Sequence, residues 1–422
     1  MTMWSQLEPL LARVDKPARY IGCELGAVTP EHGEGVVSWL LVYPDTYEIG
    51  LPNQGLQILY EILNENPTAA AERSYAPWVD LEAELRAAGL PLFSVDTHRP
   101  AGEFDLLAFN LSAELTYTNL LNLVDLAGVP VRVEDRGADD PLVIAGGHCT
   151  YNPEPLADFL DAVVLGDGEE VIGEITDVVA AWKDAGRSSR SDLLVALAAI
   201  DGVYVPSLYA ARYEDGRLVA VEPRLADAPD VVAKRTVADL AEWPYPRHQL
   251  VPVTEVVHDR LNVEVFRGCT RGCRFCQAGM ITRPVRERPA DQVRTMVSEG
   301  LRRTGYDEVA LTSLSTADFS GIEEVVTDVV ADPVNCGQVS VSLPSLRVDA
   351  FTVGVAAEIQ KARRTGLTFA PEAGTWRMRQ VINKLISEDD LYGAVESAYS
   401  QGWRRMKLYF LVGLPTETDE DT

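Results

Sequence analysis

The sequence predicts an α/β protein of two domains: a doubly wound parallel sheet, followed by a partial α/β barrel. Three observations carry this. Apolar strand-like runs alternate with helical patterns from about residue 36 to 184, the alternation breaks over 185–257, and it resumes at 261 beside a cysteine-rich loop. At 422 residues the chain is too long for one ordinary core, and 46% hydrophobic with 24% charged residues is a globular composition. The expected organisation is an N-terminal extension over 1–35, a first α/β domain over 36–184, a connector over 185–257 and a barrel over 258–422.

The first domain opens with VVSWLLVY (36–43), a buried strand by its unbroken apolar run, followed by an amphipathic helix in NQGLQILYEILNE (53–65). Further strands are expected in LPLFSVDT, FDLLAFNLS, PLVIAGG and DAVVLGDG, with helices in LTYTNLLNLVDLAG and EEVIGEITDVVAAW. Ligands of such sheets sit at the carboxyl ends of the strands, where these glycines and polar residues fall. The connector carries the turn GRSSRSD, a β-like VYVPSLYAARY and the proline-bearing EWPYPRHQL. The second alternation has strand candidates LNVEVF, EVALTSL, QVSVSLPS, GLTFAPEAG and RMKLYFLVG. DQVRTMVSEGLRRTG, FTVGVAAEIQKARRTG and EDDLYGAVESAYSQG are the helical patterns that separate them. A barrel's chemistry belongs to the loops after its strands, and the cysteines follow the first.

No apolar run approaches the ~20 residues of a membrane span. The N-terminus has charges where a signal peptide needs an apolar stretch, so a cytoplasmic protein is expected. There, six cysteines point to metal or redox chemistry rather than a disulfide framework. A net charge of −27 disfavours a surface that coats nucleic acid. Between Arg267 and Arg288, however, six arginines face one acid, Glu287. A solvated basic loop is one reading, and an anionic cofactor beside the cysteines is the other.

Cys269, Cys273 and Cys276 have the spacing C-x3-C-x2-C. Structural zinc takes four protein ligands, and no fourth lies close: His258 precedes the expected strand and Cys336 is far downstream. A 4Fe–4S cluster takes one ligand per iron, so three thiolates leave one iron open for a substrate or cofactor. Gly268 and Gly272 let the loop wrap closely, and the arginines offset the anionic cluster.

This loop after the first strand, with Phe275 just before the last cysteine, resembles the radical S-adenosylmethionine (SAM) superfamily. The resemblance implies that the open iron chelates the amino and carboxylate groups of SAM, and that one electron from the cluster cleaves the sulfonium. It places Phe275 near the adenine. SLSTADFSG (313–321) follows the second strand, where the family contacts the cofactor's amino group, and offers Ser313 and Ser315 in place of the usual glycine-rich signature. FAPEAGTWRMRQVINK resembles segments that reach the ribose or carboxylate, with Glu372 and Gly374 as candidates. Glu372 also reads as a helix-initiating acid. YFLVGLPTETDED resembles the G-x-P-x-E turn, placing Gly413, Pro415 and Glu417 on the adenine side. Such barrels have six βα units and five strands are counted here, so a truncated product lacking the sixth strand is expected.

In VYPDTYEIGLPNQG, Asp45, Tyr47 and Gly50 resemble the D-x-H-x-x-G signature of cobalamin-binding domains, with tyrosine at the histidine position. Ser112, Gly146 and Gly147 fall where that family holds the nucleotide tail, and GGHCTYNPEP resembles a segment of cobalamin-type domains fused to radical enzymes. Glycines at strand ends also arise from turn geometry alone, and His148 reads equally as a loop residue or a ligand. Together the two halves resemble a largely uncharacterised bacterial branch of cobalamin-binding radical SAM proteins. Tyrosine is a poor cobalt ligand at neutral pH, so cobalamin is expected without a ligand from residue 47. A Tyr47→His exchange is then expected to move a corrinoid spectrum towards a nitrogen-ligated form.

The resemblance implies a radical enzyme, a methyltransferase among the choices, supplied by an electron donor such as a flavodoxin or ferredoxin. Two alternatives stand beside it: a radical enzyme whose cobalamin-like domain presents substrate, and a non-catalytic iron–sulfur sensor. RNA base, peptide and small metabolite are all open as substrates. Cys23, Cys149 and Cys336 are expected to be dispensable.

Overall fold

The computed structural model describes residues 2–226, 228–331, 339–344 and 367–422, and Cys336 and the helical pattern at 351–366 lie outside them. The chain forms two compact units, Met1–Val237 with His248–Asp259, and Ala238–Arg247 with Arg260–Thr422.

The first unit is built on β1 (Val37–Tyr43), β2 (Ala69–Tyr75), β3 (Leu106–Asn110), β4 (Leu142–Gly146), β5 (Ala162–Val164) and β6 (Val203–Tyr204). They form one sheet in the order β2-β1-β3-β4-β5-β6. The first five pair in parallel, and β6 runs antiparallel to β5. Every residue of β1 is buried, as a central strand covered on both faces requires. Connections from β1 to β2 and from β2 to β3 depart on opposite sides of β1. The carboxyl ends of β1 and β3 therefore border a topological switch point, the usual ligand crevice of this architecture.

The helices of this unit are α1 (Trp4–Leu11), α2 (Tyr47–Gly50), α3 (Gln54–Glu65), α4 (Val79–Ala88), α5 (Tyr117–Leu126), α6 (Val171–Asp184) and α7 (Arg190–Ala198). Asn53 caps α3 by accepting from Leu56 N at 2.9 Å. A hairpin of β7 (Tyr209–Glu214) and β8 (Arg217–Pro223) follows. Residues 248–257 stay with this unit: Leu250 N donates to Gln57 Oε1 at 3.0 Å and Val257 N to Glu48 O at 3.1 Å.

One strand stands elsewhere than the hydrophobic pattern places it. LPLFSVDT forms only an isolated bridge, Phe93 with Pro100, and the edge strand is the charged AAAERSY. Glu72 and Arg73 are fully buried there. Arg73 Nη2 donates to Glu24 Oε2 at 2.9 Å and to Asp96 Oδ1 at 2.5 Å, and Glu72 Oε2 accepts from Thr97 Oγ1 at 2.7 Å. LPLFSVDT thus supplies partners along β2 rather than a strand, with Val95 N donating to Arg73 O at 2.8 Å. Burial of charge is tolerated because it is paired.

The second unit contains β9 (Leu261–Glu264), β10 (Phe266–Arg267), β11 (Arg286–Glu287), β12 (Glu308–Thr312), β13 (Ser340–Ser342), β14 (Leu367–Glu372) and β15 (Met406–Phe410). Its helices are α8 (Gln277–Ile281), α9 (Ala290–Thr304), α10 (Ile322–Ala331), α11 (Trp376–Val381) and α12 (Glu388–Ser400). Strands β13, β12 and β9 form a parallel sheet and β14 pairs in parallel with β15. Val263, Val309, Leu311, Val325, Val341 and Phe369 share one core. The antiparallel clip of β10 and β11 closes the base of the cysteine loop. Among the described residues, no helix is long and apolar enough to cross a membrane.

Candidate functional site

The cysteine loop connects β10 to β11, so its ends are fixed and its middle is free to wrap. Gly268, at φ +97°, lies where a Cβ would stand 2.5 Å from Pro284 O, so only glycine fits this turn. Cys269, Cys273 and Cys276 form no disulfide and are of intermediate exposure. Cys276 caps α8, its Sγ accepting from Gly279 N at 3.3 Å. A side chain at Gly279 would begin 3.4 Å from Cys276 Sγ and 3.9 Å from Cys269 Cβ, in the space that the two cysteines share. Three thiols on one loop, two of them beside a glycine and one already receiving a backbone N–H, match the donor set of an iron–sulfur cluster. Among the described residues, no group of three or more His, Cys, Asp or Glu is placed to hold a single metal ion. A cubane spreads its thiolates over separate irons, so its ligands stand farther apart than those of one ion.

The arginines brace this loop as well as charging it. Arg283 Nη2 donates to Arg271 O at 2.9 Å, Arg286 to the carbonyls of Pro284 and Thr282, and Arg288 to those of Glu264 and Leu240. Arg267 pairs with Glu264 at 2.9 Å. Arg274 N donates to Ile382 O at 2.9 Å, and its guanidinium reaches Val381 O at the end of α11.

Loops after β12 and β14 reach it, and the loop after β15 packs on the segment that follows β14. After β12, Ser315 is buried and its hydroxyl is spent on Asp318 Oδ2 at 2.7 Å. Ser313 is half-buried, accepting from Ser315 N at 3.1 Å. Asp318 Oδ1 in turn accepts from Arg271 at 3.0 Å. After β14, Glu372 has φ +70°, an uncommon backbone for a side-chain-bearing residue, and its carboxylate accepts from Lys384 Nζ at 2.8 Å. Asn383 Nδ2 donates to Gly272 O at 2.8 Å. After β15, Glu417 Oε2 closes the turn by accepting from Gly413 N at 2.5 Å and Leu414 N at 3.0 Å. Pro415 is exposed. Asp421 accepts from Thr375 Oγ1 at 2.7 Å and Thr418 N at 3.0 Å, and its carbonyl would stand 2.6 Å from a Cβ at Gly374. Hydrogen bonds to Arg377 and Thr375 hold its carboxyl well below the usual range. Phe275 is 43% exposed at the rim of the cysteine loop.

Asp318, Asn383, Lys384 and Gly279 carry geometry that sequence reasoning did not assign. Ser315 and Asp318 have the S-x-x-D spacing of a capping pair, a signal that could have marked the aspartate.

In the first unit the strand-end candidates divide. Leu111 N donates to Gly146 O at 2.7 Å, and a Cβ at Gly147 (φ +113°) would meet Leu111 O at 2.6 Å, so β3 and β4 end in close contact. Ser112 is exposed there, its hydroxyl donating to Asn110 Oδ1 at 2.6 Å. Asn110 reaches Asn53 Oδ1 at 3.2 Å and Asn119 reaches Pro44 O at 2.9 Å, lining the switch point with amides. Asp45 shapes the turn: its Oδ1 accepts from Thr46 N at 2.7 Å and its carbonyl from Ala76 N at 2.9 Å. Gly50 packs, since a Cβ would lie 2.4 Å from the Tyr75 ring.

Tyr47 is 1% exposed, stacked edge-on against Tyr75 at 5.4 Å, with its hydroxyl accepting from Val253 N at 3.3 Å. Burial, then the charge of Glu24, push its phenol far above the ordinary value. The residue at the histidine position of the signature is thus a core side chain that offers no metal ligand. His148 is exposed and Cys149 buried, the thiol pushed up to about 11 by burial and then by Glu114.

Comparison with known proteins agrees with this architecture. Residues 55–206 match the family described as radical SAM proteins, N-terminal, and residues 263–422 match the radical SAM superfamily. Uncharacterized protein MJ0966 of Methanocaldococcus jannaschii is 27% identical over 385 residues, covering 90% of this chain and 70% of that protein. Among solved structures, the radical SAM methyltransferase TsrM from Kitasatospora setae, with cobalamin and a 4Fe–4S cluster bound, aligns with TM-score 0.58 at 15% identity, over 92% of this chain and 68% of TsrM. The cobalamin-dependent SAM radical enzyme OxsB, with aqua-cobalamin bound, aligns with TM-score 0.56 at 12% identity, over 89% of this chain and 49% of OxsB. With both of its halves matched by radical SAM models, on a fold shared with two cobalamin-dependent members, this chain belongs to the radical SAM superfamily.

Proposed function

We propose that this protein reductively cleaves SAM at a 4Fe–4S cluster on Cys269, Cys273 and Cys276, to modify an unactivated carbon, with methyl transfer as the leading outcome. The observation that carries the reading is the cysteine loop itself: three cysteines outside any disulfide on a clipped loop, held by loops that follow β12 and β14. Held by Cys269, Cys273 and Cys276, a 4Fe–4S cluster would supply the electron that splits the sulfonium of SAM and would leave one iron without a protein ligand. The chain's own residues bind and orient. Gly279 N–H supports the Cys276 thiolate, Phe275 offers a face to the adenine, and Ser313, Glu372, Gly374, Gly413 and Glu417 surround the rest of SAM. The electron comes from a flavodoxin- or ferredoxin-type donor. Free cysteines throughout the described residues support a reducing, cytoplasmic setting.

Cobalamin belongs to the same reading, held at the strand ends that bear Asp45, Gly50, Ser112, Gly146 and Gly147. Support comes from the amide-lined switch point and from the cobalamin bound in TsrM and OxsB. Burial of Tyr47 favours the second reading on one point, since a unit that presents substrate needs no cobalt ligand. Anaerobic purification followed by iron, sulfide and corrinoid analysis separates the two. Four irons, four sulfides and one corrinoid per chain are expected of the first reading. Iron and sulfide without any corrinoid selects the second, and protein that assembles no cluster ends both.

A further inference from the structure

Arg271 lies between the first two cysteines, and its guanidinium reaches 47 residues along the chain to Asp318 Oδ1 at 3.0 Å. The other Asp318 oxygen takes the hydroxyl of buried Ser315 at 2.7 Å, and Asp318 N donates to Ser315 O at 2.8 Å. Ser315 N in turn donates to Ser313 Oγ at 3.1 Å. One carboxylate therefore joins the cysteine loop to the loop after β12 through hydrogen bonds on both its oxygens. The Arg271 and Asp318 side chains are 40% and 22% exposed. A pair this open to water adds little to overall stability, so its two ends are better explained by what they align.

We propose that Asp318 is a positioning residue: through Arg271 it sets the cysteine loop in register with Ser313 and Ser315, and so fixes where SAM sits relative to the cluster. This rests on the cluster reading above. It also assigns Ser315 a supporting role, because its only hydroxyl proton is committed to Asp318.

The test compares wild type, Asp318→Asn, Asp318→Ala, Arg271→Ala and the Arg271→Ala/Asp318→Ala pair. Each is reconstituted anaerobically, reduced, and titrated with SAM while the cluster's electron paramagnetic resonance spectrum is followed. The variants are expected to keep wild-type iron content and melting temperature. The two Asp318→Ala proteins should need about tenfold more SAM for the same spectral change, with the double variant no worse than either single one. Asp318→Asn, which keeps an acceptor for Ser315, should fall between. Unchanged SAM titration in all variants overturns the proposal while the cluster reading stands. So does a melting-temperature loss that accounts for the weaker binding. A wild type that assembles no cluster overturns both.

Discussion

Asn383 Nδ2 donates to the carbonyl of Gly272 at 2.8 Å, across 111 residues of sequence. Asn383 adopts φ +55°, a left-handed conformation that asparagine tolerates, and a Cβ at Gly272 would stand 2.9 Å from the same amide. Glycine at 272 is therefore a matter of approach, since it lets the loop after α11 close on the cysteine loop.

Gly272→Ala should push these two segments apart at a cost of about 1–3 kcal/mol. Iron retained after anaerobic desalting is the readout. It is expected to fall in Gly272→Ala and, less severely, in Asn383→Ala. Wild-type iron in Gly272→Ala would show that the contact does not hold the loop.

Glu372 combines a left-handed backbone with an ion pair to Lys384, and the two separate by substitution. Glu372→Gly relieves a strain of about 1 kcal/mol that Glu372→Ala retains, while both lose the carboxylate. Urea melts should therefore rank Glu372→Gly above Glu372→Ala, whereas SAM affinity should drop equally in both. Wild-type SAM affinity in either variant would remove Glu372 from the site.

Tyr47→His is expected to lower stability by about 1–3 kcal/mol, because the phenol is buried with its hydroxyl hydrogen-bonded. The structure reverses the expectation drawn from the signature: an imidazole here enters the core, so a corrinoid spectrum should not change towards nitrogen ligation. A nitrogen-ligated spectrum in this variant would contradict the burial of residue 47.

Acid should destabilise the first unit through Glu72 and Asp105. Burial works to raise both carboxyls. Hydrogen bonds from His32, Ser94 and Thr97 more than reverse it at Glu72, and those from Lys183 and Ser38 do so at Asp105. A carboxyl depressed in the folded state contributes stability above its unfolded pKa, about 4, and loses it as the pH falls through the folded value. Urea midpoints at pH 7 and 5 should thus be little altered by these two groups, then fall below about pH 4. Glu72→Gln and Asp105→Asn should flatten that fall, and a midpoint that rises on acidification would contradict the assignment.

Much of the architecture was legible because apolar periodicity reports it: β1, β3, β4, β5, α3 and α5 stand within the runs that announce them, and α6 runs two residues past its own. The edge strand β2 was not, since Glu72 and Arg73 make it read as a polar segment and their partners Asp96 and Thr97 lie some 20 residues on. The short antiparallel β6 falls inside the β-like VYVPSLYAARY of the expected connector, but its two residues carry no pattern that assigns it to the first sheet beside β5. In the site, the cysteines declare themselves by spacing. Asp318 and Asn383 act through side-chain contacts with residues 47 and 111 positions away, a relation that no local pattern encodes. Tyr47 illustrates the converse: a motif position was legible while the direction of its side chain was not.

The most direct test of the account is SAM consumption by anaerobically reconstituted protein under a strong reductant, measured by liquid chromatography. Wild type should consume SAM only when reduced, and the Cys269→Ala/Cys273→Ala/Cys276→Ala variant should consume none, while Cys23→Ala and Cys149→Ala match wild type. Equal consumption by the triple variant would contradict the central claim.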